Sequence, residues 1–160
     1  MNGDDYSHRR KTPRLWVEIE ESPSRWHLLT ATSGNDETSI FLDGRQVAGK
    51  SGLLLMFPAG PAQGRLVVGN SVYNKHSWDG AISRLVLYDE ILPAESIEHR
   101  NIQLQKTPDI WPAASVEPYL LYLFDEATGS IVRDQSDQQI HLEIPAKAVR
   151  LARKPFVSPT

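Results

Sequence analysis

The sequence of 160 residues predicts an all-β fold, an antiparallel β-sandwich with one short helix. Short runs rich in β-branched and aromatic residues recur along the chain, and Gly, Pro, Asn and Asp separate them at close intervals. Only one segment combines the start signals and the apolar positions of a helix. Many short strands with frequent turn signals are typical of sandwiches, so this class is the first expectation.

The first strand is expected soon after Pro13. Residues 1–13 are polar and predict a flexible N-terminus, and LWVEIE at 15–20 alternates apolar and polar residues as a half-buried strand does. WHLLTATS and TSIFLDG then flank SGNDE, whose Gly, Asn and Asp tolerate the positive φ of a hairpin loop. Asp43 and Gly44 predict a second tight turn, which leads into RQVA.

The middle of the chain predicts three more strands. LLLMF at 53–57 is a continuous apolar run, which favours a strand buried on both faces, and RLVVG at 65–69 resumes the sheet after a Gly/Pro-rich loop. AISRLVLY at 81–88 follows. Ile82 and Leu85 are an odd number of residues apart, so a β-bulge near Ser83 or Arg84 is expected to bring them to one face.

The C-terminal part begins with the helix. ILPAESIEHRN at 91–101 predicts a short cap, with Pro93 in its first turn, Glu95 at its positive end and Ile97 pointing inward. Residues 105–118 hold three prolines and predict a linker. YLLYLFDE and IHLEIP then predict two strands around a turn at Gly129, and residues 145–160 form a basic tail.

Composition excludes several classes of function. The absence of cysteine excludes disulfides, thiolate zinc sites and thiol catalysis, and the formal net charge of −3 argues against nucleic-acid binding. No apolar run approaches the roughly 20 residues that a membrane-spanning helix needs. The basic residues of the C-terminal tail are either simply solvated or attracted to an anionic membrane surface; they are Lys147, Arg150, Arg153 and Lys154.

Three segments in order resemble the C-terminal half of a laminin G-like, concanavalin A-like lectin/glucanase domain. They are WHLLTATSGNDETSIFLDGRQV, GRLVVGN and WDGAISRLVLYDEILPAESIEHR. The resemblance includes the Trp-initiated strand, the Asp-Gly hairpin, the strand that ends in Gly, the strand that ends in Tyr and the helical stub. It implies a jelly-roll sandwich whose core spans residues 14–104.

A second segment is similar to the opening strands of the same family. LYLFDEATGSIVRDQSDQQIHLEI at 121–144 has the family's aromatic-Asp-Glu unit and Gly turn, although here the beginning follows the end. A second repeat, a circular permutation and an appendage of a larger parent would each produce this order. An uncovered sheet face would be apolar, so residues 119–144 are expected to fold back on the core, with self-association through that face as the alternative.

The same layout resembles the extramembrane region of VanZ-type membrane proteins. There a segment of the form LYLFDE…G…L-x-I-P lies between the lectin-like domain and the membrane helices. This resemblance implies an extracytoplasmic or cell-surface location, as part of a larger membrane protein.

Candidate catalytic and metal-binding residues are sparse. Glu18 and Glu20 lie at alternate strand positions, as glucanase carboxylates do, but the full E-x-D-x-x-E pattern is absent, so a solvated face is favoured. Asp125 and Glu126 suit turn-closing hydrogen bonds. The five histidines have no metal-ligand spacing. Calcium is conceivable at loop oxygens, with turn capping as the simpler role of the residues concerned, which are Asp43, Asn70, Asn74 and Asp79.

The candidate ligand site lies in the loop before AISRLVLY. An exposed aromatic ring stacks on the C–H face of a sugar, and fixed amides and carboxylates bind its hydroxyl groups. The loop supplies this mixture in Tyr73, Asn74, His76, Trp78 and Asp79. The alternative for Trp78 is packing over the edge of the sandwich.

The predicted function is a non-catalytic, lectin-like binding or interaction module, with cell-wall or surface glycan as its candidate ligand and no cofactor. The first alternative is a structural or assembly domain of a membrane protein that binds no small ligand. The second alternative is the remnant of a glycoside hydrolase.

Overall fold

The computed structural model describes residues 15–18, 26–55, 81–107, 111–112 and 116–144. These residues form seven strands and one helix. The chain divides into two units: the first comprises Met1–Ala62 and Ile91–Ala113, and the second comprises Gln63–Glu90 and Ala114–Thr160. The strands pair antiparallel throughout, so the described residues have the all-β architecture that the sequence predicts.

The first unit contains a three-stranded sheet. Its strands are β1 (Leu29–Gly34), β2 (Glu37–Leu42) and β3 (Arg45–Ser51), in the order β1-β2-β3. Asn35 and Asp36 connect β1 to β2 with φ angles of 50° and 64°, which confirms the first predicted hairpin. Asp43 and Gly44 connect β2 to β3 with φ angles of 50° and 84°, which confirms the second.

The bulge in this sheet is not where the sequence predicts one. The register of β2 and β3 shifts between Ile40 and Phe41, because Ile40 lies opposite Ala48 while Phe41 lies opposite Gln46. Val47 is therefore the extra residue on β3. The bulge predicted near Ser83 or Arg84 is wrong, since residues 81–84 belong to no strand.

The two faces of the sheet differ in polarity. Residues directly opposite each other in an antiparallel pair share a face, and side chains alternate along each strand. One face contains the apolar residues Leu29, Ala31, Ile40, Leu42 and Ala48, together with Ser33, Thr38, Arg45 and Lys50. The other face is mainly polar and contains Thr30, Thr32, Glu37, Ser39, Phe41 and Gln46.

The helix α1 (Ala94–Lys106) completes the first unit and is longer than the predicted cap. Pro93 occupies the N-cap position, one residue before the predicted first-turn position. The helix includes Gln105 and Lys106 from the predicted linker, and Thr107 is its C-cap, since a residue that precedes a proline is disfavoured in the helical conformation. Ile97 is only 1% exposed, which confirms that it points inward.

The second unit contains two short strand pairs. β4 (Leu85–Leu87) pairs with β5 (Leu120–Tyr122), and β6 (Ile131–Val132) pairs with β7 (Leu142–Glu143). An isolated bridge joins Tyr122 to Asp134. Tyr122 and Val132 are the buried hydrophobic residues of the described part of this unit. The predicted boundaries 1–13, 14–104, 105–118, 119–144 and 145–160 stay predictions.

Two predicted strands are wrong where the structure describes them. Residues 15–18 form no strand, although their exposure alternates as predicted. Residues 53–55 form none either, and Leu54 and Leu55 are 38% and 57% exposed. The backbone of this segment bonds to side chains instead, because Thr38 Oγ1 donates to the Leu53 carbonyl (2.5 Å) and the Leu55 amide donates to Ser33 Oγ (2.7 Å). Residues 19–20, 56–57 and 65–69 lie outside the described residues.

Candidate functional site

The residues of the predicted ligand site lie outside the described residues. They are Tyr73, Asn74, His76, Trp78 and Asp79. Asn70, one of the candidate calcium ligands, also lies outside the described residues. Three other polar groups lie within the described residues, two in the first unit and one in the second.

The Asp43 side chain forms hydrogen bonds at the turn between β2 and β3. Its Oδ2 lies 2.9 Å from His27 Nδ1, and its Oδ1 accepts a hydrogen bond from the Leu28 amide (3.0 Å). Asn101 of α1 donates from Nδ2 to the Asp43 carbonyl (2.8 Å). These contacts give Asp43 the turn-capping role. Within the described ranges, no three His, Asp or Glu side chains come together as a metal site.

Three side chains form a hydrogen-bonded polar cluster on the polar face of the sheet. Ser39 Oγ donates to Glu37 Oε1 (2.9 Å) and accepts from Gln46 Nε2 (3.1 Å). We call these residues the Glu37–Gln46 cluster. Gly49 lies beside it, and a Cβ there would collide with Glu37 Oε1. Since Ser39 holds both neighbours, the cluster presents a fixed carboxylate and a fixed amide, groups that can hydrogen-bond a hydroxylated ligand.

The sequence analysis did not predict this cluster, although the shared face of its three residues could have been predicted. The Asp43-Gly44 turn places Phe41 opposite Gln46, and alternation then places Glu37 and Ser39 on the same face as Gln46. The remaining arrangement depends on the bulge at Val47, which brings Gly49 opposite Ser39. No residue in RQVAGKS specifies that bulge beforehand.

Asp134 is the hydrogen-bond centre of the second unit. Its carboxylate accepts from the amides of Leu121 (2.9 Å), Ser136 (3.0 Å) and Ile140 (3.0 Å), and from Ser136 Oγ (2.8 Å). Burial acts to raise the pKa of Asp134, but these hydrogen bonds outweigh it and the pKa is lowered. The Asp134 amide also donates to His141 Nδ1 (3.2 Å). The bonds to Ser136 and Ile140 are local to the turn that follows Asp134, and the bond to Leu121 connects that turn to β5, so Asp134 has a structural role.

The other candidate carboxylates are also accounted for where they are described. Glu126 Oε1 accepts from the Arg133 amide (2.5 Å), which is the turn-closing role expected of the Asp125–Glu126 pair. Glu18 is exposed, and Glu20 lies outside the described residues. No helix in the described part of the chain has the length and apolar character to cross a membrane.

Comparison with known proteins identifies a family. The model Laminin_G_3, described as the concanavalin A-like lectin/glucanases superfamily, matches residues 8–98. A crystal structure of an S-layer domain-containing protein from Clostridium thermocellum is similar with a TM-score of 0.46 and 18% sequence identity. That similarity covers 54% of this chain and 42% of the other, so it spans less than half of that structure. No curated protein matches the chain.

Proposed function

The chain belongs to the Laminin_G_3 family of the concanavalin A-like lectin/glucanase superfamily, and from this premise we propose that it is a non-catalytic module that binds surface glycan. The observation that carries the proposal is the family match over residues 8–98. Domains of the laminin G-like type are generally non-catalytic and act in carbohydrate binding or interaction. The proposed location is extracellular or on the cell surface.

The proposed binding residues are Tyr73, Asn74, His76, Trp78 and Asp79. The matched region includes all of them. Their chemistry supports the proposal, because Trp78 and Tyr73 provide rings for stacking while Asn74 and Asp79 provide hydrogen-bonding groups for sugar hydroxyls. The Glu37–Gln46 cluster is a second polar surface that offers hydrogen bonds to a hydroxylated ligand. Variants of the cluster and of the loop show which of the two surfaces binds the ligand.

A glycan array with purified protein tests the proposal. Trp78→Ala and Tyr73→Ala are expected to abolish the binding seen with the native chain. Trp16→Ala is the matched control, since Trp16 is 73% exposed and lies outside the proposed site. Loss of binding in Gln46→Ala, with Trp78→Ala unaffected, would move the site to the Glu37–Gln46 cluster. Parallel arrays with EDTA test whether calcium takes part.

The non-catalytic assignment has its own test. Incubation with β-glucans and peptidoglycan fragments is expected to release no reducing ends. Hydrolysis that disappears in Glu18→Gln or Glu20→Gln would identify the chain as a glycoside hydrolase instead.

A structural or assembly role is the second candidate, and exposed apolar side chains favour it. Trp26, Leu29 and Val47 are all exposed in the first unit. Association between copies would remove this apolar surface from water. No binding to any glycan, together with stable association between copies, would support this role.

A further inference from the structure

The strand β5 forms hydrogen bonds on both of its backbone edges. On one side the Gln135 amide donates to the Leu121 carbonyl (2.8 Å), and the Leu121 amide donates to Asp134 Oδ1 (2.9 Å). Backbone groups alternate sides along a strand, so those of Leu120 and Tyr122 face the other side, where β4 lies. β5 therefore lies between β4 and residues 134–135, although it follows α1 in the sequence and lies outside the residues that match the family.

The pairing of β4 with β5 also brings apolar side chains together. Tyr122 lies opposite Leu85, and Leu120 lies opposite Leu87. Directly opposite residues of an antiparallel pair share a face, and their side chains interact. Tyr122 is 0% exposed and is the most buried residue of β5. β4 thus supplies both a backbone partner for β5 and an apolar neighbour for its buried tyrosine.

Residues 119–144, which we call the C-terminal segment, contain little sheet structure of their own. Besides β5 they contain the pair of β6 and β7, and each of these two strands is two residues long. A two-stranded pair is at best marginally stable in water, and independent stability requires three or more strands or packing against another element. The side-chain bonds of Tyr122 and Asp134 connect turns within the segment but add no further strand. The segment is therefore expected to depend on β4.

We propose that the C-terminal segment is bound to β4 and has no autonomous fold, so that the folded module extends beyond the matched residues 8–98 to Ile144. The order of segments in the sequence has three explanations, and a second repeat would require residues 119–144 to fold without β4. The proposal opposes that explanation and does not depend on the identity of any ligand. A chain shortened to the matched residues would leave β4 without its partner strand.

Amide hydrogen exchange of the whole chain, measured by NMR, tests the dependence on β4. The Ile144 amide donates to the Ser130 carbonyl (2.6 Å), so its exchange rate reports on the segment far from β4 in sequence. Leu85→Ala is expected to raise this rate about tenfold, because it removes the side chain opposite Tyr122. Ile82→Ala is the matched control, since Ile82 is 39% exposed and precedes β4, and should leave the rate unchanged. An Ile144 amide that exchanges at the native rate in Leu85→Ala overturns the proposal.

A cleaved chain tests the binding of the segment directly. A protease site inserted between Ala113 and Ala114, where the sequence passes from the first unit to the second, allows the folded chain to be cut. The two pieces are expected to co-elute in size-exclusion chromatography and to separate in urea. Leu85→Asp should separate them without urea, because it places a charge opposite Tyr122, whereas Ile82→Asp should not.

Two results of the cleavage experiment would contradict the proposal. Pieces of the otherwise native chain that separate without urea would show that β4 does not bind the segment. Pieces that stay together in Leu85→Asp as firmly as in Ile82→Asp would show that the binding does not run through β4. The first result does not depend on the folding of any variant of Leu85.

Discussion

Tyr122 donates its phenolic hydrogen to the carbonyl oxygen of Ile140, with 2.6 Å between the two oxygens. Tyr122 is 0% exposed and lies at the end of β5, while Ile140 precedes β7. The bond therefore connects two strand pairs of the second unit through a side chain. Burial, and to a lesser degree the charge of Asp134, raises the pKa of Tyr122, so the hydroxyl stays protonated and continues to donate.

Tyr122→Phe tests the importance of this bond. The change removes the donor and leaves the Ile140 carbonyl without it, so the free energy of unfolding should fall by about 1–2 kcal/mol. Urea denaturation provides the measurement. Tyr119→Phe is the control, because Tyr119 is exposed and should change stability by less than about 0.5 kcal/mol. Equal effects of the two changes would contradict the account.

Asp134→Asn should destabilise the second unit by about 1–3 kcal/mol at pH 7, because an amide oxygen replaces two carboxylate oxygens that accept four hydrogen bonds. The stabilising effect of the ionised Asp134 also depends on pH. Its folded pKa is lowered, so the effect is complete above about pH 4, the usual pKa of an unfolded Asp, and is lost as the pH falls through the folded pKa.

Urea denaturation of both proteins from pH 7 to pH 2 measures this dependence. The difference in stability between the native chain and Asp134→Asn should stay constant down to about pH 4 and shrink below it. A difference that stays the same across the whole range would show that ionisation of Asp134 does not contribute.

Gly44→Ala should reduce stability more than Gly52→Ala. Both glycines have positive φ, 84° and 72°, so alanine adds backbone strain at each position. At Gly44 a Cβ would also come within 3.0 Å of Glu98 Cα in α1, whereas nothing lies within 4 Å of the corresponding position at Gly52. We expect a loss of about 1 kcal/mol for Gly52→Ala and about 2–3 kcal/mol for Gly44→Ala. Thermal denaturation compares them, and equal losses would contradict the close approach of α1.

A double-mutant cycle tests the contact between Arg100 and Trp111. The guanidinium carbon lies 5.0 Å from the centroid of the Trp111 ring, and burial lowers the pKa of Arg100. Cation–π contacts of partly desolvated arginines contribute about 0.5–2 kcal/mol. Arg100→Met and Trp111→Leu should therefore be non-additive by an amount in this range in urea denaturation. Additive losses would show that the ring and the guanidinium do not interact.

The hairpins of the first sheet could be predicted because their turns are encoded locally. Asn35, Asp36, Asp43 and Gly44 are residue types that adopt positive φ, and all four do so in the structure. The strand predicted at 53–57 was wrong over 53–55 because Ser33 and Thr38 bond its backbone, a tertiary arrangement that an apolar run does not reveal. The helix was predicted to end at residue 101, but α1 continues to Lys106. Pro108 is the better signal for its C-terminal end, because the residue before a proline is disfavoured in a helix.

For the candidate site, too, some features were predicted from the sequence and others were not. The family resemblance is confirmed by the match over residues 8–98, while the VanZ-type resemblance and the five loop residues stay predictions. The shared face of Glu37, Ser39 and Gln46 follows from the Asp43-Gly44 turn and strand alternation, whereas the position of Gly49 beside them depends on the register shift at Val47, which arises from pairing between strands. Local patterns thus predicted the turns, the resemblance predicted the family, and the polar contacts between strands required the structure.

A single NMR titration tests the proposed glycan-binding function most directly. The chain has four tryptophans. A proton–nitrogen correlation spectrum would record their indole N–H signals, and single Trp→Phe variants would assign them. Addition of cell-wall oligosaccharide is expected to shift the signal of Trp78 and leave those of Trp16, Trp26 and Trp111 in place. Signals that all stay unchanged at millimolar ligand, or that shift only for Trp16 or Trp26, would contradict a glycan site in the Tyr73–Asp79 loop.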